Sequence, residues 1–145
     1  MEIKIGKSGM RNLEQIRAKN ALQDAPKIKP GEGGGCNPAK EVPAMIILDG
    51  FLGAMAFAVQ RTDKGMLKKE GHYSVFEAIV NHLSDREIGL LEIRSKSVDD
   101  LLIKACDWNA DKLRAITAES MAYLNYLRRF AKPGKEESRD GNGAQ

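Results

Sequence analysis

Residues 109–132 read NADKLRAITAESMAYLNYLRRFAK, in which Leu113, Ile116, Ser120, Leu124, Leu127 and Ala131 recur at three- and four-residue steps. That spacing places them on one face of a helix. Ala122, Tyr123, Tyr126 and Phe130 widen the apolar side beyond a surface helix's stripe, so the segment is expected inside a bundle. Its ends agree. Asn109 can cap the first turn and Asp111 places negative charge there, while Arg128, Arg129 and Lys132 suit the last turns before Pro133-Gly134. Wound at about 3.6 residues per turn, Arg114, Arg128 and Lys132 fall within a narrow arc of the remaining flank.

The same pattern runs backwards through the chain. From Pro43, a good first-turn residue, Met45 to Val59 is apolar with hardly a break, which predicts a helix in the middle of the bundle. Gly50 and Gly53 fall on one face of it with Phe57, suggesting close approach of a neighbouring helix, and Asp49 beside them suits a cap or a solvated edge. Asn12-Leu13-Glu14-Gln15 has the form of a capping box, opening a short helix with Leu13, Ile16, Ala21 and Leu22 on its apolar side and ending before Pro26. Residues 24–41 are rich in proline and glycine and predict a loop; the lysine of a phosphate-binding loop does not follow the glycines. Ser74, Ser84 and Ser97 each begin a further capping pattern, with Phe76, Ile79, Val80 and Leu83 inward after the first. Period-two alternation with hairpin turn chemistry is missing from the sequence. The expected fold is all-α, a single-domain bundle of five to seven helices over 11–132. A flexible arm at 1–10 and a disordered tail at 133–145 would flank it.

Net charge is +3 over 145 residues, too small to demand a polyanionic partner. Its distribution changes the picture. Residues 1–30 carry seven Lys/Arg against three Asp/Glu, residues 31–108 nine against twelve, and residues 109–145 seven against five. Basic ends around an acidic middle suit a directional face. Two cysteines, Cys36 and Cys106, fit a reduced cytoplasmic protein rather than a disulfide scaffold, and Cys106 is expected as a small buried hydrophobe. The stretch 42–59 is apolar enough to raise a membrane span, against which Asp49 argues.

Catalytic chemistry finds little support. His72 and His82 are the only histidines, and neither has a carboxylate or cysteine at ligand spacing, so ordinary surface or boundary roles are expected, with no metal or cofactor. Tyr123 and Tyr126 could stack on bases, but their helical spacing places them in the core. Trp108, at a helix end, is a core or interface anchor. Cations are the better candidates. Arg17 borders the first helix's apolar stripe, and Arg61 and Lys64 flank the exit of the apolar helix. Phosphate binding needs such charges on rigid elements.

Three blocks resemble one known family. Residues 12–18, NLEQIRA, resemble the (T/N)LEQxRA opening of the small subunit of type III-B CRISPR effector complexes, the Cmr family. VPAMI at 42–46, through Gly50-Phe51-Leu52 and Ala56-Phe57-Ala58, is similar to its VPxMI…NGLL…LAF helix, and AYLNYLRRFA at 122–131 to its AYLxWLRRFA ending. The family's asparagine before glycine is Asp49 here, and its tryptophan is Tyr126. The resemblance implies a non-catalytic subunit whose copies stack beside other Cmr subunits, lining the groove where guide RNA and target RNA pair. Its partners would be those subunits, further copies and both RNAs, with no membrane and no small-molecule substrate. Under this resemblance Arg17, Lys40, Arg61, Lys64, Arg114, Arg128 and Lys132 are expected to include the RNA-facing cations. Arg17 and Arg128 lie inside matching blocks. A helical protein scaffold without RNA contact and a DNA-binding regulator are the alternatives.

Overall fold

The computed structural model describes residues 12–31, 37–92 and 97–131. Five α-helices lie within them: α1 (Leu13–Asp24), α2 (Pro38–Ala58), α3 (Glu70–Leu83), α4 (Val98–Ala105) and α5 (Ala110–Phe130). A 3-10 turn, Ala25–Lys27, ends α1 where Pro26 forbids its continuation. There is no strand among the described residues. A single antiparallel bridge between Arg61 and Leu67 closes the α2–α3 connection. The expected arm at 1–10 and tail at 133–145 lie outside the described residues.

The caps at Asn12, Ser97 and Asn109 form as their sequences require. Gln15 N–H donates to Asn12 Oδ1 and Gln15 Oε1 accepts from Asn12 N–H; Asp100 N–H donates to Ser97 Oγ, and Lys112 N–H to Asn109 Oδ1. Two other starts differ from expectation. α2 begins at Pro38 rather than Pro43, because Asn37-Pro38 offers a cap and a first-turn proline earlier; Asn37 Oδ1 accepts from Ala39 N–H. Residues 38–41 therefore belong to the helix, not to the loop. α3 begins at Glu70, leaving Ser74 inside it. Ser74 Oγ donates to Gly71 O at 2.7 Å and accepts from Lys29 N–H at 2.9 Å, pinning the segment after α1 instead of capping its own helix.

The most enclosed helix is α3, not the apolar α2. Ten of its fourteen residues are buried, among them Val75, Phe76, Ile79 and Leu83. It packs against all four other helices, with Phe76 meeting Phe51 of α2 edge-on at 5.8 Å. α2 is long and apolar enough to cross a membrane by length and composition, with 33% of that window buried in the protein. It buries Val42, Ile46, Phe51, Ala54, Met55 and Ala58 but leaves Ile47 73% and Leu48 81% exposed. The expected close packing at its glycines is not found. Gly50 breaks the helix at φ 85°, ψ 163°, with open space where a Cβ would stand, and Gly53 would meet only Asp49 of its own helix. Likewise Leu13 and Leu22 face outward on α1, and Cys106, the residue after α4, is exposed rather than buried.

On α5 the predicted face is inward: Ile116, Ser120, Leu124, Leu127 and Ala131 are buried, with Tyr123 beside them. Ser120 Oγ is buried and has no hydrogen-bond partner among the described residues. Ser120→Ala is therefore expected to raise stability by about 1 kcal/mol, removing an unsatisfied hydroxyl and improving helix propensity. Urea denaturation measures it, and a loss of stability would mean the hydroxyl is satisfied.

Candidate nucleic-acid interface

Each candidate cation is positioned by the helix or connection that carries it. Arg17 projects from α1 toward α5, where Nε lies 2.8 Å from Glu119 Oε2 and Nη2 lies 2.7 Å from Oε1. This two-pronged pair is the geometry that matches a guanidinium to a carboxylate. Glu119 in turn accepts from the fully buried His82 through Nε2, at 2.8 Å, and the Asn20 amide bridges His82 Nδ1 and Asp85 Oδ2, each at 3.0 Å. Tyr123 stacks on the His82 ring at 4.4 Å and donates its hydroxyl to Asp24 Oδ2 at 2.6 Å. A polar seam thus joins α1, α3 and α5.

The electrostatics follow from burial and pairing. The hydrogen bond to Glu119 raises the Arg17 pKa, leaving the guanidinium firmly charged. Burial pushes Glu119 up, but its bonds from Arg17 and His82 outweigh this and hold it below the usual glutamate value. Burial lowers His82, against an opposing pull from Glu119. Asp24 is raised by burial despite the Tyr123 hydroxyl, and burial raises Tyr123 well above an ordinary tyrosine.

The other cations lie elsewhere. Arg61 donates to Asp99 Oδ2 at 2.6 Å and covers the Tyr73 ring at 5.7 Å, tying the α2–α3 connection to α4. Lys64 is exposed in that connection, where Gly65 turns the chain at φ 84° and Thr62 Oγ1 accepts from the Met66 and Lys64 N–H groups. Lys40 is exposed in the first turn of α2, at the end opposite Arg61. On α5, Arg114 pairs with Asp111 one turn back and is 73% exposed. Arg128 Nε reaches Asn125 Oδ1 at 3.4 Å, and the exposed Arg129 donates through Nε to Asn125 O at 3.2 Å. Arg114 and Arg128 fall on nearly the same side of α5, about 21 Å apart along its axis. Lys132 lies outside the described residues.

A family model described as CRISPR-associated protein (Cas_Cmr5) matches residues 13–133, from the first residue of α1 to beyond the end of α5. The chain belongs to this family. It is a Cmr small subunit of type III-B CRISPR systems. No curated protein and no solved structure matches it.

In this Cmr small subunit, the cations expected at RNA fall into two kinds. Arg17 and Arg61 hold the bundle together through Glu119 and Asp99, whereas the exposed Lys40, Lys64 and Arg114 and the half-buried Arg128 have no long-range carboxylate partner among the described residues. The histidines are not surface or boundary residues. His72 is 5% exposed and lies 2.9 Å from Glu41, and His82 is 0% exposed against Glu119. Their partners are 31 and 37 residues away in sequence, so local spacing could not reveal them. One signal was present. Glu119 falls on the face of Ile116 and Tyr123, and a carboxylate on a buried face requires donors. Among the described residues no group of histidines, cysteines and carboxylates is placed to hold a metal ion.

Proposed function

We propose that this Cmr small subunit is a non-catalytic, cytoplasmic member of an RNA-guided RNA-targeting complex. It packs beside the other Cmr subunits and further copies of itself, and touches guide and target RNA at the phosphate backbone. The family match across all five helices carries the reading. The exposed Arg114, Lys40 and Lys64 and the half-buried Arg128 supply charge on two helices and the turn between α2 and α3, which suits backbone contact without base readout. Arg17 and Arg61 join the RNA surface only through the donor edges their carboxylate partners leave open.

Target-RNA affinity of the guide-loaded complex, measured across a salt series, tests this. The double variant Arg114→Glu, Arg128→Glu is expected to weaken binding about tenfold or more and to reduce the log–log salt slope by about one per lost contact. Arg17→Met should lower the subunit's stability and reduce the slope by no more than about one. An unchanged affinity and slope in the double variant, with assembly intact, would favour a scaffold without RNA contact. That second reading draws on the uncovered apolar side chains Ile47, Leu48 and Ile103.

A further inference from the structure

Asn20 fixes the proton on His82. Its amide nitrogen is 3.0 Å from Asp85 Oδ2, an atom that only accepts, and 3.0 Å from His82 Nδ1. The NH2 group therefore spends one hydrogen on the carboxylate and points the other at Nδ1, which accepts. The opposite ring nitrogen, Nε2, faces Glu119 Oε2 at 2.8 Å and so carries the ring's proton. The imidazole is neutral in its Nε2–H form, wholly buried, and stacked on Tyr123. Charged groups face it from every side of the seam: Arg17 and Asp24 on α1, Asp85 in the turn after α3, and Glu119 on α5.

A second proton can enter only at Nδ1, where it meets the Asn20 NH2, donor against donor. The amide then has to rotate so that Oδ1 accepts from the ring, which removes the bond to Asp85 and turns an oxygen toward that carboxylate. The imidazolium also competes with Arg17 for Glu119. Both affected residues, Arg17 and Asn20, belong to α1. Other ties of α1, among them Ile16 and Ala21 in the apolar interior, Asp24 on Tyr123 and Glu14 on Tyr126, are not hydrogen bonds to the ring.

We propose that His82 is a proton-operated latch on α1: the neutral ring, gripped by Asn20 and Glu119, holds α1 against α3 and α5, and protonation at Nδ1 loosens that docking. The device does not depend on what the subunit binds, and any partner that grips α1 would sense mild acid through it. Burial lowers the ring's pKa below the ordinary 6.5, in the same direction. With the folded value lowered, the latch contributes fully above about 6.5 and its contribution is lost as pH falls through the folded value.

Two measurements on the full chain decide the proposal. Imidazole nitrogen–proton correlations near neutral pH are expected to show His82 as the Nε2–H tautomer. Amide hydrogen exchange, corrected for its intrinsic pH dependence, should show α1 protection falling below pH about 6.5 by about tenfold per pH unit, one proton being taken up on opening. Amides of α2 should not follow. His82→Gln presents a donor and an acceptor but cannot titrate, so the α1 step should vanish; in His72→Gln it should remain. An Nδ1–H tautomer, flat α1 protection, or a step that survives His82→Gln would each overturn the latch. Should His82→Gln fail to fold, the tautomer and the wild-type exchange profile still decide.

Discussion

Gly71→Ala is expected to destabilise the subunit by about 2 kcal/mol, although alanine is the better helix former. Gly71 sits in the first turn of α3, buried beneath the segment that follows α1. A Cβ there would stand 2.5 Å from Pro38 Cγ, 2.7 Å from Pro30 O and 3.0 Å from Lys29 O. Two of these are backbone atoms and the third is in a proline ring, so no flexible side chain can swing away. Relief requires α3 to lift from the 29–31 segment, which also strains the Ser74 bond to Lys29 N–H at 2.9 Å. Overpacking of this kind costs about 1–3 kcal/mol or more, against a propensity gain of at most about 1 kcal/mol. Gly53→Ala is the matched control. Its Cβ would meet only Asp49 Cβ, at 3.1 Å, which needs to give by a few tenths of an ångström beside the helix break at Gly50, so the change should be neutral or stabilising by up to about 1 kcal/mol. Urea denaturation of both variants measures the contrast. Equal effects would mean that the Gly71 contact relaxes freely.

Such a contact shows where sequence reading stops. The helical face of α5 and the caps at Asn12, Ser97 and Asn109 were legible because they depend on neighbours three or four residues away. Composition misled where it stood for burial. α2 is the most apolar helix, yet α3 is the enclosed one, since enclosure depends on how many helices surround an element. Gly50 read as a packing surface and is instead a break, because a positive φ and close approach both select glycine. Among the candidate cations, Arg114 and Arg128 could be placed on one arc from helical period alone. Arg17 could not be assigned from sequence, since Glu119 lies 102 residues away. Both histidines were misread for the same reason. A seam that joins three helices leaves in each only polar residues whose partners lie far off in sequence, here Arg17, Asn20 and Asp24 on α1, His82 on α3 and Glu119 and Tyr123 on α5.

Glu119→Ala is the substitution expected to harm the subunit most, by about 3 kcal/mol, as breaking a buried ion pair usually does. It leaves the Nε2–H of a fully buried His82 without an acceptor and the Arg17 guanidinium without its partner. Glu119→Gln does not restore the site. Three donors converge on the carboxylate, and an amide offers them one oxygen while turning its own NH2 toward another, so a loss of about 2 kcal/mol is expected. Arg17→Met should cost less, about 1 kcal/mol, because that side chain is 23% exposed and Glu119 keeps His82. The two positions should be coupled, Arg17→Met costing less when Glu119 is already alanine. Acid should expose the same seam. The Glu119 pKa is held below its ordinary value of 4.5, so its stabilisation is present above that value and is lost as pH falls through the lowered one. In Glu119→Gln this acid limb should disappear. Denaturant titrations of the cycle at neutral and acidic pH give both results; additive losses, or an acid limb unchanged in Glu119→Gln, would show that the carboxylate is not what joins α1 and α3 to α5.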